Sequence, residues 1–263
     1  MAKKELDLLQ DKPASAILKF AVPMLIGALF QQAYSLVDTV VVGNFINSDA
    51  LAAVGTSGVI MNIVTMAGMG LAVGTSVVTA QYFGAKKLRE VKTAIRTSLI
   101  VFVALGLGGG ALGLAIMKPM LQLMNTPLEM MDYALSYLGV IFTGVVFVML
   151  YNMFNQVSIA LGDSKTPMIM LLAASAINVV LDLVFTLVCH WGTAGVAAAT
   201  VIGQGFAALT CWRLIQKKMN QMVTEQPAWF DKQMLKSICA IGLPAVAQNA
   251  ISASGMQAVQ SLL

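Results

Sequence analysis

Two aspartates, Asp38 and Asp182, are the residues of this sequence whose type and setting most clearly suit chemistry. Each stands inside a long apolar segment that holds no Lys or Arg well within it. An ionisable side chain in such a setting is costly, and it is usually kept because it binds or relays an ion. Carboxylate oxygens accept protons and also coordinate hard cations, so both roles are candidates.

Both aspartates belong to rows of polar residues in which neighbours are three or four positions apart, a spacing that places them on one face of an α-helix. The later row, which we call the polar row, is Ser175, Asn178, Asp182 and Thr186, and the earlier one is Gln31, Ser35 and Asp38. Two further segments contribute Asn152, Asn155 and Gln156, and Thr200 and Gln204. The pattern predicts one cation-binding site formed by Asp38, Asp182, Asn178, Thr200 and Asn155. The two acids, Asn178 and Thr200 would bind Na+, or the two acids would bind a proton.

Simpler explanations exist for some of these groups. Taken singly, the amides and hydroxyls are better explained as hydrogen bonds between helices. Asp38 also lies shortly before Gly43, which would let its carboxyl reach interfacial water. Two bare carboxylates in an apolar interior would be costly, so we expect the pair to hold a proton or a metal cation in most states.

The segments that position these residues are long enough to cross a membrane. Of the 263 residues, 58% are hydrophobic and 11% are charged, whereas a soluble domain has about 25% charged residues. A membrane-spanning helix needs about 20 mostly apolar residues. Such segments are 17–43, 51–81, 97–117, 133–161, 167–189, 193–212 and 237–263. We therefore predict an all-α membrane protein, a polytopic six-helix bundle followed by a partial seventh helix.

The charge pattern predicts which ends of these helices face the cytoplasm. All of the 16 Lys and Arg residues except Lys118 fall on one side of an alternating path. By the positive-inside rule that side is cytoplasmic, as is the amino terminus, in a multi-pass protein of the plasma membrane. The predicted divisions are a cytoplasmic segment 1–16, a six-helix lobe 17–216, a cytoplasmic linker 217–232 and the start of a second lobe 233–263.

Two further patterns concern packing and chain organisation. Glycines four residues apart allow close helix contact, and we read them as packing positions. They form the pairs Gly70 and Gly74, Gly106 and Gly110, and Gly109 and Gly113. A weak similarity between the starts of the first and seventh helices, together with the apolar run that ends at Leu263, leads us to expect the first half of a larger transporter.

Several classes of function receive no support from the residues. Three widely separated cysteines indicate neither a disulfide framework nor a metal cage. The chain has no HExxH motif, no glycine-rich phosphate loop and no basic-aromatic patch for nucleic acid. We expect no enzymatic activity, no cofactor and no nucleic-acid partner.

In order and spacing, a set of short motifs resembles the multidrug and toxic compound extrusion (MATE) family. These motifs are Pro23, residues 31–34 (QQAY), 37–43 (VDTVVVG), 50–55 (ALAAVG), 81–85 (QYFGA), 160–167 (ALGDSKTP), 178–182 (NVVLD), 191–197 (WGTAGVA) and 199–200 (AT). The resemblance implies an antiporter of two six-helix lobes around a cleft, which works as a monomer and exports organic, often cationic, compounds in exchange for Na+ or H+. In that family the acids of an amino-terminal cation site match Asp38 and Asp182, and their polar partners match Asn155, Asn178 and Thr200.

The same resemblance implies a substrate cleft, which we expect to be lined by Gln31, Gln32, Tyr34, Ser35, Asn152 and Gln204. The chain departs from one branch of the family, which has a membrane glutamate eight residues after the proline of helix 7, where this chain has Ser252. Two alternatives stay open. One is a flippase for lipid-linked oligosaccharides from the same superfamily, disfavoured because the spans lack cationic side chains. The other is a membrane-embedded enzyme.

Overall fold

The computed structural model describes residues 13–222 and 227–260, and this part of the chain is helical without a β-strand. Its helices are α1 (Pro13–Phe45), α2 (Ser48–Gly84), α3 (Leu88–Leu123), α4 (Leu128–Ala160), α5 (Lys165–Leu183), α6 (Gly192–Met222) and α7 (Lys232–Gln260). By length and composition, all seven could cross a membrane. The predicted all-α membrane fold is therefore confirmed.

Several helices extend beyond the apolar segments that predict them. Helix α3 begins at Leu88 rather than residue 97, and α6 continues to Met222 rather than residue 212. The added turns are rich in Lys, Arg, Gln and Met, which favour helix. Ile215 and Met219 are buried in these turns, so the added part of α6 is amphipathic and packs against the bundle. Most of the predicted segment 1–16 lies outside the described residues.

The connections carry the turn chemistry that helix ends require. Gly162 has a φ of +79° directly after α4, a left-handed conformation that suits glycine at a helix C-terminus. Asp163 then caps α5, because its carboxylate accepts hydrogen bonds from the N–H groups of Lys165 at 3.1 Å and Thr166 at 3.0 Å. Asn47 caps α2 in the same way through the N–H of Ala50 at 2.7 Å.

The packing order of the helices differs from their order in the chain. Helix α4 is central and contacts α2, α3 and α6, whereas α1 packs mainly on α5, which in turn packs on α6. Helix α7 lies along α2. This order places Asp38 of α1 beside α5 and α6, although the chain between them is long.

Glycines produce the closest contacts in the bundle. A Cβ at Gly106 or Gly110 would collide with the α4 backbone, and one at Gly113 would collide with the ring of Phe142. We call these three positions the glycine seam of α3. Gly70 and Gly74 have the same function against α7, whereas a Cβ at Gly109 would meet nothing within 4 Å. The packing prediction is therefore confirmed for all of these glycines except Gly109.

Candidate functional site

The carboxyl groups of Asp38 and Asp182 lie within hydrogen-bonding distance of each other. We call them the acid pair. Asp182 is fully buried and Asp38 is half-buried. Two carboxylates at this distance cannot hydrogen-bond to each other unless a proton lies between them, and their mutual repulsion is relieved by a proton or a cation. The contact between the two carboxyl groups therefore favours the binding of a proton or a cation to the acid pair.

The amide of Asn178 connects the acid pair to α6. When its nitrogen faces Asp38, it donates a hydrogen bond to Oδ1 of Asp38 at 2.9 Å, and its oxygen accepts one from the N–H of Thr200 at 3.1 Å. This orientation suits an ionised Asp38, whose carboxylate oxygen accepts the hydrogen bond from the amide.

The sequence of α5 explains why these groups converge. Asn178 and Asp182 are four residues apart and thus share one helix face, which is buried against α1 and α6. Gly203 of α6 lets the two helices approach, because a Cβ there would lie 3.0 Å from the carbonyl oxygen of Ala174. The close contact brings Thr200, one turn before Gly203, to the level of Asn178.

The end of α5 contains a feature that the sequence analysis missed. Residues Val184–Val188 form a π-helical turn, in which the N–H of Cys189 donates to the carbonyl of Val184 at 3.0 Å. Phe185 in this turn stacks on Trp191, with ring centroids 4.8 Å apart. The β-branched residues Val184, Thr186 and Val188 disfavour a regular α-helix, and they were the available signal. The turn directly follows Asp182, and such turns are frequent at functional sites.

The other predicted residues occupy different surroundings. Asn155 is half-buried on α4 and forms no hydrogen bond to the acid pair within the described residues. Asn152 donates to the carbonyl of Val148 of its own helix at 2.9 Å. Gln31, Gln32 and Ser35 are exposed along α1, and the side chain of Tyr34 lies outside the described part of the chain.

Gln204 does not share the exposure of these α1 residues. Its side-chain oxygen is buried and has no hydrogen-bond partner in the described part of the chain. It lines a small cavity between α5 and α6, together with Ser175, Asn178 and Thr200. Gln204 is thus adjacent to the acid pair and its partners.

The donor set around the acid pair fits a hard cation. Its candidate ligands are the carboxylates, the amide oxygen of Asn178 and the hydroxyl of Thr200, and oxygen is the element that such ions prefer. Oδ1 of Asp182 is buried and has no hydrogen-bond partner among the described residues. A carboxylate oxygen in that position remains able to take a proton or coordinate Na+. The roles of these residues as a cation site stay predictions.

Comparison with known proteins identifies relatives along the whole chain. The family model MatE matches residues 23–184. The probable multidrug resistance protein YpnP of Bacillus subtilis is 29% identical over 99% of this chain and 58% of its own length. The multidrug export protein MepA of Staphylococcus aureus is 26% identical over 93% of this chain and 55% of its own. The chain therefore spans little more than half the length of the curated relatives it matches.

Solved structures agree with these sequence matches. A crystal structure of MATE in the straight conformation has a TM-score of 0.86 and 26% identity, covering 97% of this chain and 57% of its own. A transporter of the MOP superfamily from Pyrococcus furiosus, described as having a binding pocket of reverse polarity, has a TM-score of 0.85 and 27% identity, with coverages of 97% and 57%. The helical arrangement is thus that of solved transporters.

Proposed function

Because the chain belongs to the MatE family, we propose that it serves as the amino-terminal lobe of a cation-coupled exporter of organic, often cationic, compounds. Its relatives YpnP and MepA are named for multidrug resistance and export. The observation that carries the proposal is the contact between the two carboxyl groups, one of them fully buried. A bundle that only needed packing would not require this contact, because buried carboxylates are costly.

The coupling mechanism follows from the electrostatics of the acid pair. The pair holds Na+ or a proton in one conformation and releases it in another, and the amide of Asn178 donates a hydrogen bond to Asp38 when that carboxyl is ionised. A bound ion shifts the balance between outward- and inward-facing forms only through its different affinity for the two. A second lobe completes the cleft, to which the exposed Gln31, Gln32 and Ser35 contribute polar contacts for the exported compound.

The test is gradient-driven efflux of a fluorescent organic cation by the full-length protein in liposomes, with Na+ and proton gradients imposed separately. We expect at least one gradient to drive efflux and Asp182→Asn to abolish it, because the amide keeps the shape but cannot bind the ion. Ser57→Ala is the matched control, since Ser57 is also fully buried but, among the described residues, bonds only to the carbonyl of Ala53 in its own helix. Wild-type efflux by Asp182→Asn under both gradients would contradict the proposal.

The proposed orientation has a separate test. We propose that the amino terminus and the turn around Lys87 are cytoplasmic and that the turn around Asn47 is external, following the distribution of Lys and Arg. Cysteines placed singly at positions 47 and 87, in a background without the native cysteines, should react differently with a membrane-impermeant reagent added outside. Labelling at position 47 alone is expected, and labelling at position 87 alone would reverse the topology.

A further inference from the structure

Buried oxygen atoms without hydrogen-bond partners are concentrated in one part of the bundle. Within the described residues six side-chain oxygens are buried and unpartnered. Four of them, on Ser175, Asp182, Thr186 and Gln204, belong to α5, its π-helical turn and α6. A polar atom left unpaired inside a membrane protein is costly. Their concentration beside the acid pair therefore points to a partner outside the polypeptide.

Two of the residues that carry these oxygens, Ser175 and Gln204, line the same cavity. The cavity between α5 and α6 is lined by Ser175 and Gln204 together with Asn178 and Thr200, and it holds about one water-sized body. Such a space is too small for an organic compound of drug size. Leu171, Ala174 and Gly203 supply the apolar part of its lining, and the four polar side chains supply hydrogen-bonding partners for one water.

The cavity is linked to the acid pair by Asn178. Asn178 and Thr200 line the cavity, and Asn178 also bonds to Asp38. Ser175 lies about one turn before Asn178, and Gln204 lies about one turn after Thr200 on the antiparallel neighbour. Both therefore lie on the same side of the acid pair, toward the start of α5. Under the proposed topology that side faces the cytoplasm.

We propose that Ser175 and Gln204 form a hydrated relay through which the coupling ion leaves the acid pair toward the cytoplasm. This inference rests on the proposed function of the pair. A hydroxyl both donates and accepts a hydrogen bond, so Ser175 and a water pass on a proton that the acid pair gives up as it becomes ionised. The amide oxygen of Gln204 and the same hydroxyl are suitable transient ligands if the ion is Na+. Gln204 thus serves the coupling ion rather than the substrate cleft.

The experiment compares efflux kinetics of the full-length protein carrying Ser175→Ala, Gln204→Leu or both. The efflux rate is measured against external Na+ concentration at fixed pH, and against external pH without Na+. If ion release becomes slow, the maximal rate falls while the half-saturating ion concentration stays the same or decreases. For the double variant, we expect the maximal efflux rate to fall at least threefold. The fall should occur in the titration, of Na+ or of pH, whose ion drives transport.

A matched control separates the relay from a general effect of removing a buried hydroxyl. Thr79 is fully buried on α2 and its hydroxyl also has no partner in the described part of the chain, so Thr79→Val should leave the kinetics unchanged. Ser175→Ala removes a single atom and remains informative if Gln204→Leu does not fold. A wild-type maximal rate in the folded variants, or a raised half-saturating concentration at an unchanged maximal rate, would overturn the relay. Intact coupled efflux by Asp182→Asn would overturn the proposed function instead.

Discussion

The glycine seam and the polar row are both buried between helices of one bundle, but they are buried in opposite ways. In the seam α3 and α4 approach backbone to backbone, and between α2 and α3 a polar pair is satisfied, since the hydroxyls of Thr75 and Ser98 are 3.1 Å apart. In the polar row, Ser175, Asp182 and Thr186 each keep a buried oxygen that has no partner among the described residues. The helices at the seam are thus closely packed, whereas the polar row keeps polar groups that are available to a ligand.

This contrast separates the residues that hold the bundle together from those proposed to carry the ion. Substitutions in the seam should act on folding, because helix association in membranes depends on close van der Waals packing. Substitutions in the polar row should act on coupling, because its oxygens contribute few internal bonds that a change would break. The experiments below are arranged to test that separation.

The largest effect is expected at the acid pair. We expect Asp38→Asn and Asp182→Asn each to reduce gradient-driven efflux by roughly 100-fold, the upper range of typical coupling energies. The double variant should be no worse than either single one, because residues that act as a unit are not additive. Multiplicative losses would show that the two carboxyls act independently, although they are in contact. Size-exclusion profiles of the detergent-solubilised variants would verify that they are folded.

A smaller effect, on stability instead of transport, is expected at two adjacent glycines. Gly110→Ala places a Cβ against the carbonyl oxygen of Phe142 and should destabilise the bundle by about 1–3 kcal/mol. Gly109→Ala enters open space and should be neutral or stabilising by up to about 1 kcal/mol, since Ala favours helix more than Gly. Thermal unfolding in detergent measures both. Equal changes in stability at the two positions would contradict the role of Gly110 in close packing against α4.

The sequence predicts the acid pair well because the pairing of Asp38 with Asp182 depends on two regular features of membrane-spanning helices. Helical periodicity places Asn178 and Asp182 on one face, and the alternation of spans places Asp38 at a similar depth. It does not predict the small cavity between α5 and α6 that Gln204 lines. That cavity depends on crossing angles and side-chain contacts between helices.

The ends of the helices were likewise only partly predictable from the sequence. Apolar length sets where a span crosses the membrane, but α6 continues for several turns because its charged residues favour helix and Met219 is buried. The π-helical turn after Asp182 contains the β-branched residues Val184, Thr186 and Val188, which disfavour α-helix without specifying what replaces it. The sequence analysis therefore did not predict this irregular end of α5.

The smallest effect is expected from two buried threonines, one between α2 and α3 and one in the polar row. Thr75→Val removes the bond to Ser98 at 3.1 Å and a longer one to the carbonyl of Leu71 at 3.3 Å, so we expect a loss of about 0.6 kcal/mol, the typical value for a bond between membrane helices. Thr186→Val removes a hydroxyl that bonds to nothing in the described structure. Its loss breaks no bond and removes a buried polar atom, so stability should stay the same or rise slightly. Valine matches threonine in shape and branching, so the two substitutions differ in the hydrogen bonds that they remove. Thermal unfolding of both variants in one detergent gives the difference directly. If Thr186→Val is the more damaging of the two, its hydroxyl supports the folded bundle, and the polar row is packing rather than a path for the ion.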